Sequence, residues 1–166
     1  MIQLRTAISG DAAGLARVHV DSWRETYADY VPESYFGEEV FEARSAMWTN
    51  YLALPKPHGT LTVVDRDGRI VGFSFSGPAS GPEPELGIDP ARTLQLFSIY
   101  LLGAEQGAGI GTRLLRAAIG DQPAQLWVAT KNTRAIDFYR HHGFATDGTE
   151  YVDANIAGLV ELRMVR

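Results

Sequence analysis

The segment from Leu94 to Ala118 constrains the fold more than any other part of the chain. Its first nine residues, Leu94 to Leu102, are almost all apolar or aromatic, which predicts a strand buried on both faces of a sheet. Gly103 ends this run, and the glycine-rich stretch Gln106–Gly111 predicts a turn. A helix is expected next, with a buried stripe formed by Ile110, Leu114, Leu115 and Ala118.

A strand, a glycine turn and a helix in this order can hold an anion. The first backbone N–H groups of a helix have no partner inside it, and the helix dipole adds partial positive charge there. Glycines at positions 107, 109 and 111 let a phosphate approach the main chain. The alternative is a plain connector between two core elements, and these residues alone leave both interpretations open.

Two common phosphate loops are excluded at this turn. The nucleotide-triphosphate loop ends in Gly-Lys-Ser/Thr, whereas Gly111-Thr112 lacks the lysine. The dinucleotide fingerprint G-x-G-x-x-G needs a glycine where Thr112 stands. What remains is Q-x-x-G-x-G at Gln106, Gly109 and Gly111. This pattern resembles motif A of the GNAT N-acetyltransferase family, which binds the pyrophosphate and pantetheine of acetyl-coenzyme A (acetyl-CoA).

A second block resembles motif B of the same family, N-x-x-A-x-x-F-Y-x-x-x-G-F. It runs from Asn132 to Phe144 and follows a short apolar strand, Leu126–Val128. The two motifs occur in the family's order, and the resemblance is tight over residues 94–144. It implies an α/β fold with a mixed, largely antiparallel sheet, helices on both faces and splayed central strands. It also implies a single acyltransferase domain over residues 1–166.

The resemblance assigns roles to residues of both motifs. Backbone N–H groups of the glycine turn would hold the pyrophosphate, the strand edge would pair with pantetheine, and an N–H near Leu101 would face the thioester oxygen. Asn132 would reach the pantetheine arm, or serve only as the N-cap of the next helix. Tyr139 would be the general acid that protonates the leaving thiolate, or else a packed core tyrosine. The cofactor-binding residues implied are Ile99, Tyr100, Leu101, Gln106, Gly107, Ala108, Gly109, Ile110, Gly111, Thr112 and Asn132.

The general base departs from the family pattern. Many relatives carry a glutamate on the central strand where this chain has Gln95, which cannot take a proton at neutral pH. Gln95 is therefore kept only as a candidate substrate-binding residue. Deprotonation of the amine is left to water, to an acid of the N-terminal half or to His19. His141 and His142 end a predicted helix, where a cation is favoured without any function, and no metal site is predicted.

Periodicity and turn residues predict the order β-α-α-β-β, a long loop, and then β-α-β-α-β-β, which is the order of the GNAT fold. The predicted elements are a first helix capped by Ser9 or Asp11 and continuing through Tyr27, a second helix Glu39–Leu54, a hairpin of residues 61–64 and 70–75 around Asp67-Gly68, an exposed loop over 77–92, and two final strands around 153–155.

Composition excludes several classes of protein. A net charge of −5 argues against sequence-independent nucleic-acid binding. No apolar run approaches the ~18 residues that span a bilayer, so no membrane partner is expected. The chain has no cysteine, and its first residues lack an export signal, so a cytoplasmic location is expected. A homodimer is left open.

The expected activity is transfer of an acetyl group from acetyl-CoA to a primary amine by direct attack. Trp23 and Tyr27 lie in an aromatic-rich stretch with acidic neighbours, which suits a small cationic amine. The same aromatics would equally serve as core residues. The alternatives are a non-catalytic acyl-CoA-binding module, a peptide or protein N-acetyltransferase, and transfer of a longer acyl chain or to an oxygen acceptor.

Overall fold

The computed structural model describes residues 1–80, 87–153, 156 and 158–166. Within these residues the elements follow the predicted order, with short 3₁₀ turns at Ser9–Asp11, Glu33–Phe36 and Gly103–Glu105. The strands and α-helices are β1 (Ile2–Thr6), α1 (Ala12–Tyr27), α2 (Glu38–Leu52), β2 (Thr60–Arg66), β3 (Arg69–Pro78), β4 (Leu94–Leu101), α3 (Ile110–Ile119), β5 (Gln125–Ala129), α4 (Thr133–His141), β6 (Ala145–Val152) and β7 (Val160–Val165).

The strands form one sheet in the order β1-β2-β3-β4-β5-β7-β6. Strands β4 and β5 run parallel, with Gln95 paired to Gln125 and Leu96 to Leu126. A parallel pair needs a crossover connection, which α3 supplies. The pairs β1–β2, β5–β7 and β6–β7 are antiparallel. The predicted mixed, largely antiparallel sheet is therefore confirmed.

The chain divides into two compact units. Unit 1 comprises Met1–Phe75 and Ser98–Gly120, and its apolar residues form two clusters. One cluster packs α1 and α2 against β2 and β3 through Leu15, Trp48 and Phe73. The other packs α3 against β2 and β3 through Leu114 and its neighbours. In β4, Tyr100 belongs to the first cluster, whereas Ile99 and Leu101 belong to the second. Helices therefore cover both faces of this part of the sheet, as predicted.

Unit 2 comprises Ser76–Phe97 and Asp121–Arg166. Its described elements include α4 and strands β5, β6 and β7, and its buried apolar residues include Leu126, Ile136 and Met164. The predicted loop over 77–92 is described only in part, because residues 81–86 lie outside the described residues, as do 154 and 155 of the predicted last turn. The two final strands are confirmed as β6 and β7.

Three local predictions need correction. The predicted cap of α1 is wrong, since no side chain caps its N-terminus. Asp11 instead accepts two charge-assisted hydrogen bonds from the Arg5 guanidinium, at 2.7 and 2.9 Å, and one from the Ile8 N–H at 2.8 Å, before the 3₁₀ turn. The second helix is Glu38–Leu52 rather than 39–54. Strand β4 is not buried throughout, because Phe97 remains 38% exposed.

No helix in the described part of the chain has the length and apolar character that crossing a membrane requires.

Candidate active site

The glycine turn opens α3 as the sequence predicts. Gly109 is the N-cap of α3 in the left-handed conformation, at φ 74°, and Gly107 has φ 85°. Both angles disfavour any residue with a Cβ, and the position of a Cβ at either glycine faces open space. No side chain caps α3. The turn therefore fits an anion, because the N-cap residue Gly109 has no side chain that would occupy the start of the helix.

Gln106 has a structural role that the sequence pattern did not specify. Its Nε2 donates to the backbone oxygen of Leu101 at 2.6 Å. This bond ties the start of the glycine turn to the end of β4. The side chain of Gln106 is thus engaged with the protein itself, and its effect on a bound cofactor would be to fix the shape of the turn.

The outer edge of β4 in unit 1 is formed by Ile99 and Leu101. The N–H of Leu102 donates to the Val71 oxygen at 3.1 Å, so residue 102 bonds toward β3. Backbone groups of successive strand residues alternate in direction, and Leu101 therefore bonds away from β3, as does Ile99. The described pairing of β4 with β5 covers Gln95 and Leu96, and the backbone groups of Ile99 and Leu101 follow on the same side of β4. An extended ligand can add main-chain hydrogen bonds to backbone groups of this kind.

Tyr100 is placed differently from the other predicted cofactor residues. Its hydroxyl accepts a hydrogen bond from Trp23 Nε1 at 2.9 Å, and its ring lies 5.0 Å from that of His19. The rings of Trp23 and Tyr27 lie 4.9 Å apart on α1. The side chain of Tyr100 therefore joins the candidate substrate residues Trp23 and Tyr27, whereas its neighbours Ile99 and Leu101 face α3.

His19 is not suited to act as the general base. Burial among aromatic rings, with a smaller effect of the Arg44 charge, lowers the pKa of His19 to about 3. Its Nδ1 is buried and has no hydrogen-bond partner among the described residues. The imidazole is therefore neutral over the ordinary pH range and acts as a packed ring between Trp23, Phe73 and Tyr100.

Gln95 takes part in a hydrogen-bond network inside unit 2. It is 7% exposed, and its Oε1 accepts from Gln125 Nε2 at 2.9 Å and from the Ser80 N–H at 3.4 Å. Gln125 Oε1 in turn accepts from the N–H groups of Ala91 and Arg92, at 2.6 and 3.0 Å. The pair thus satisfies part-buried backbone donors that precede β4. Sequence reasoning missed Gln125, because no local pattern marks a glutamine as buried.

The motif B residues lie on α4 and at its start. Asn132 is the N-cap of α4, and its Oδ1 accepts from the Ala135 N–H at 3.1 Å, which is the capping role left open above. Tyr139 is 7% exposed, and its ring packs against Phe138 and Phe144 at 5.4 and 5.8 Å. The structure therefore gives both residues a packing or capping role, alongside any role in chemistry.

Glu25 is a further residue that sequence reasoning missed. Its carboxylate accepts a hydrogen bond from the Gly103 N–H at 2.9 Å, directly after β4. A Cβ at residue 103 would lie only 3.3 Å from that carboxylate, so glycine is the residue that fits comfortably there. The bond ties the end of α1 to the loop that leads into the glycine turn.

The model of the acetyltransferase (GNAT) family matches residues 16–144, and the chain belongs to that family. It is therefore an enzyme of the N-acetyltransferase class.

Individual relatives agree with this assignment. The chain is 30% identical over 146 residues to the uncharacterized N-acetyltransferase YuaI of Bacillus subtilis, covering 84% of this chain and 78% of that protein. The fold resembles PaiA N-acetyltransferase of Thermoplasma acidophilum in complex with coenzyme A, with TM-score 0.73, 20% identity and coverage of 100% and 98%. It also resembles YncA, a putative acetyltransferase of Salmonella typhimurium with its cofactor acetyl-CoA, with TM-score 0.64, 16% identity and coverage of 99% and 92%.

Proposed function

We propose that this protein transfers the acetyl group of acetyl-CoA to a primary amine carried by a small molecule. The observation that carries the proposal is the open, uncapped N-terminus of α3 behind two glycines in the left-handed conformation. The fold relatives solved with coenzyme A and acetyl-CoA support the choice of cofactor. A single catalytic domain over the whole chain is part of this proposal.

Acetyl-CoA supplies an activated acyl group whose carbonyl carbon accepts the amine. Backbone N–H groups from Gly107 to Thr112 would hold its pyrophosphate, and the edge residues Ile99 and Leu101 would pair with the pantetheine. The outward N–H of Leu101 would stabilise the negative charge that develops on the thioester oxygen. Tyr139 would donate a proton to the departing sulfur, since a buried thiolate is poorly solvated and more basic than in water.

A small cationic acceptor is favoured by the surroundings of Trp23. The rings of Trp23 and Tyr27, with Tyr100 beneath them, offer aromatic faces that attract an ammonium group. The net charge of −5 would also attract a cation and repel a second anion. The proposed acceptor is therefore a small-molecule amine rather than a large basic protein tail.

Calorimetry with acetyl-CoA tests the first half of the proposal. One site per chain is expected, and Gly109→Glu should abolish the binding, because the new carboxylate fills the turn and repels phosphate. An absence of binding heat and of any thermal shift at saturating acetyl-CoA would remove the basis of the proposal.

A panel of acceptors with detection of the released thiol tests the second half. The panel contains 2-phenylethylamine, 1,4-diaminobutane, glucosamine and a peptide with a free N-terminus. Turnover of a small amine is expected, and Trp23→Ala and Tyr27→Ala should raise its KM with no change in acetyl-CoA affinity. Turnover of the peptide alone would favour the peptide acetyltransferase, and acetyl-CoA binding without any turnover would favour the non-catalytic module.

A further inference from the structure

A group of aromatic and charged side chains lies on strands β5, β6 and β7, outside both motifs. We call it the β7 cluster and define it as Trp127, Tyr151, Glu161 and Arg163. Trp127 is paired with Arg163 across β5 and β7, and Tyr151 with Glu161 across β6 and β7. Glu161 and Arg163 are two residues apart on one strand and therefore share a face of the sheet. The register thus brings the four side chains onto one face.

Contacts within the β7 cluster are close. The Tyr151 hydroxyl donates a hydrogen bond to the Glu161 carboxylate. The Trp127 and Tyr151 rings meet edge to face at 5.1 Å, and the Arg163 guanidinium lies 5.6 Å from the centre of the Trp127 ring. Trp127 Nε1 is buried and has no hydrogen-bond partner among the described residues. A buried donor of this kind is costly unless a ligand or water accepts from it.

The two charges of the β7 cluster differ in how they are compensated. Arg163 is 9% exposed and donates to the Asp147 carboxylate at 2.6 Å and to the backbone oxygen of Asp89 at 2.8 Å. Glu161 is half-buried, yet its described hydrogen bond comes from a neutral phenol, and it forms no ion pair with any described residue. A partly buried carboxylate without a cation is unfavourable, so this site suits a cationic ligand.

The β7 cluster adjoins motif B within unit 2. Glu161 is paired with Ala129, the last residue of β5. The Ala129 oxygen accepts from the Asn132 N–H at 2.9 Å, and the neighbouring Thr130 N–H bonds the Val160 oxygen at 2.8 Å. Glu161 therefore lies beside the end of β5, the strand from which the motif B helix begins, where the family resemblance implies that Asn132 reaches the pantetheine arm.

We propose that Glu161 removes the proton from the reacting ammonium group of the acceptor, the role that Gln95 cannot perform. This inference rests on the proposed function. The ammonium R–NH₃⁺ gives one proton to the Glu161 carboxylate and becomes a neutral amine. Its lone pair forms the C–N bond as the C–S bond breaks, and the sulfur takes a proton from Tyr139. A second proton then leaves the nitrogen and restores the Tyr139 hydroxyl, and Glu161 releases its proton to water.

The surroundings of Glu161 adjust its pKa for this role. Burial raises the pKa of Glu161, and the negative charge of Asp153 raises it further, whereas the hydrogen bond from Tyr151 lowers it. A carboxylate whose pKa moves toward neutrality is a better match for a proton acceptor working near pH 7. Arg163, on the same face, is held by Asp147 and Thr149.

The test compares three variants with the wild-type enzyme, using the amine of the panel that turns over best. Glu161→Gln keeps the shape of the side chain and an oxygen that accepts from Tyr151, but removes the charge. We expect kcat/KM at pH 7 to fall about a hundredfold and its rise with pH through the acid range to disappear, with little change in Tm. Tyr151→Phe should move that rise to higher pH. Glu150→Gln is the matched control, an exposed acid on β6, and should leave the profile unchanged.

Carbon-13 NMR of the glutamate carboxyls gives a readout that needs no turnover. A signal that disappears in Glu161→Gln should titrate at the pH where kcat/KM rises, and adding the amine should shift it. Normal turnover with an unchanged profile in Glu161→Gln, or an equal loss in Glu150→Gln, would overturn this inference alone. A wild-type enzyme that acetylates none of the amines would overturn the proposed function and this inference with it.

Discussion

The buried histidine of α1 makes the stability of this protein sensitive to mild acid. In the unfolded chain His19 has the ordinary histidine pKa of 6.5, whereas burial lowers its pKa in the folded protein to about 3. Between these values the unfolded state holds a proton that the folded state lacks. Stability therefore falls as the pH decreases through this range. At pH 5, about 1.5 pH units below 6.5, the loss is about 2 kcal/mol, since each pH unit corresponds to about 1.4 kcal/mol.

The assay is urea unfolding of wild type and His19→Phe at pH 7.5 and pH 5. Phenylalanine keeps an aromatic ring beside Tyr100, and any cost of its larger size is the same at both pH values. The free energy of unfolding of the wild type should fall about 2 kcal/mol more than that of the variant, or about 4–8 °C in Tm. Asp11 does not interfere, because Arg5 lowers its pKa away from this pH range and both proteins carry the same Asp11. Equal losses in the two proteins would show that His19 is hydrated and not buried as the structure has it.

Three further changes test residues of the two units. Tyr139→Phe should lower kcat by about ten- to a thousandfold with acetyl-CoA affinity unchanged; a loss of Tm and of binding together would instead identify a packing tyrosine. Gln106→Ala should weaken acetyl-CoA binding about three- to tenfold in calorimetry, because the bond to Leu101 that fixes the turn is lost, while exposed Gln3→Ala should have no effect. Gln125→Leu should destabilise the protein by about 3 kcal/mol in urea unfolding, since two part-buried N–H groups lose their acceptor and the buried Gln95 oxygen loses a donor; a loss below about 1 kcal/mol would contradict this.

The order of elements could be predicted because it depends on local patterns. The Asp67-Gly68 turn has φ values of 52° and 85°, which few residue pairs tolerate, so the hairpin is visible in the sequence. The apolar stripe of α3 and the glycines that open it are equally local. The prediction of a side-chain cap for α1 was wrong because the outcome depends on a residue outside the local pattern. Asp11 is a good capping residue, but Arg5, six positions earlier, takes its carboxylate.

In the candidate site, too, the roles that depend on local sequence could be predicted, and the roles that depend on distant residues could not. Gly107 and Gly109 could be assigned from sequence, because a left-handed backbone angle demands glycine whatever surrounds it. The roles of Gln95 and Tyr100 could not, because their partners Gln125 and Trp23 are 30 and 77 residues away in the chain. Hydrogen bonds between distant residues leave no periodic signal in either segment.

Glu161 shows why a functional acid can be invisible in a strand. Glu161 and Arg163 alternate with Val160, Leu162 and Met164, a pattern that normally indicates one buried and one solvated face. In the folded protein the polar face is covered as well, since Arg163 is 9% exposed and Trp127 lies opposite it. Folding has to compensate the desolvation of both charges, yet only the arginine has an opposite charge beside it. A sequence under selection for stability alone would replace such an unpaired acid with an apolar residue. A carboxylate on β7 beside the end of β5 is therefore best explained by a cation that the enzyme must bind.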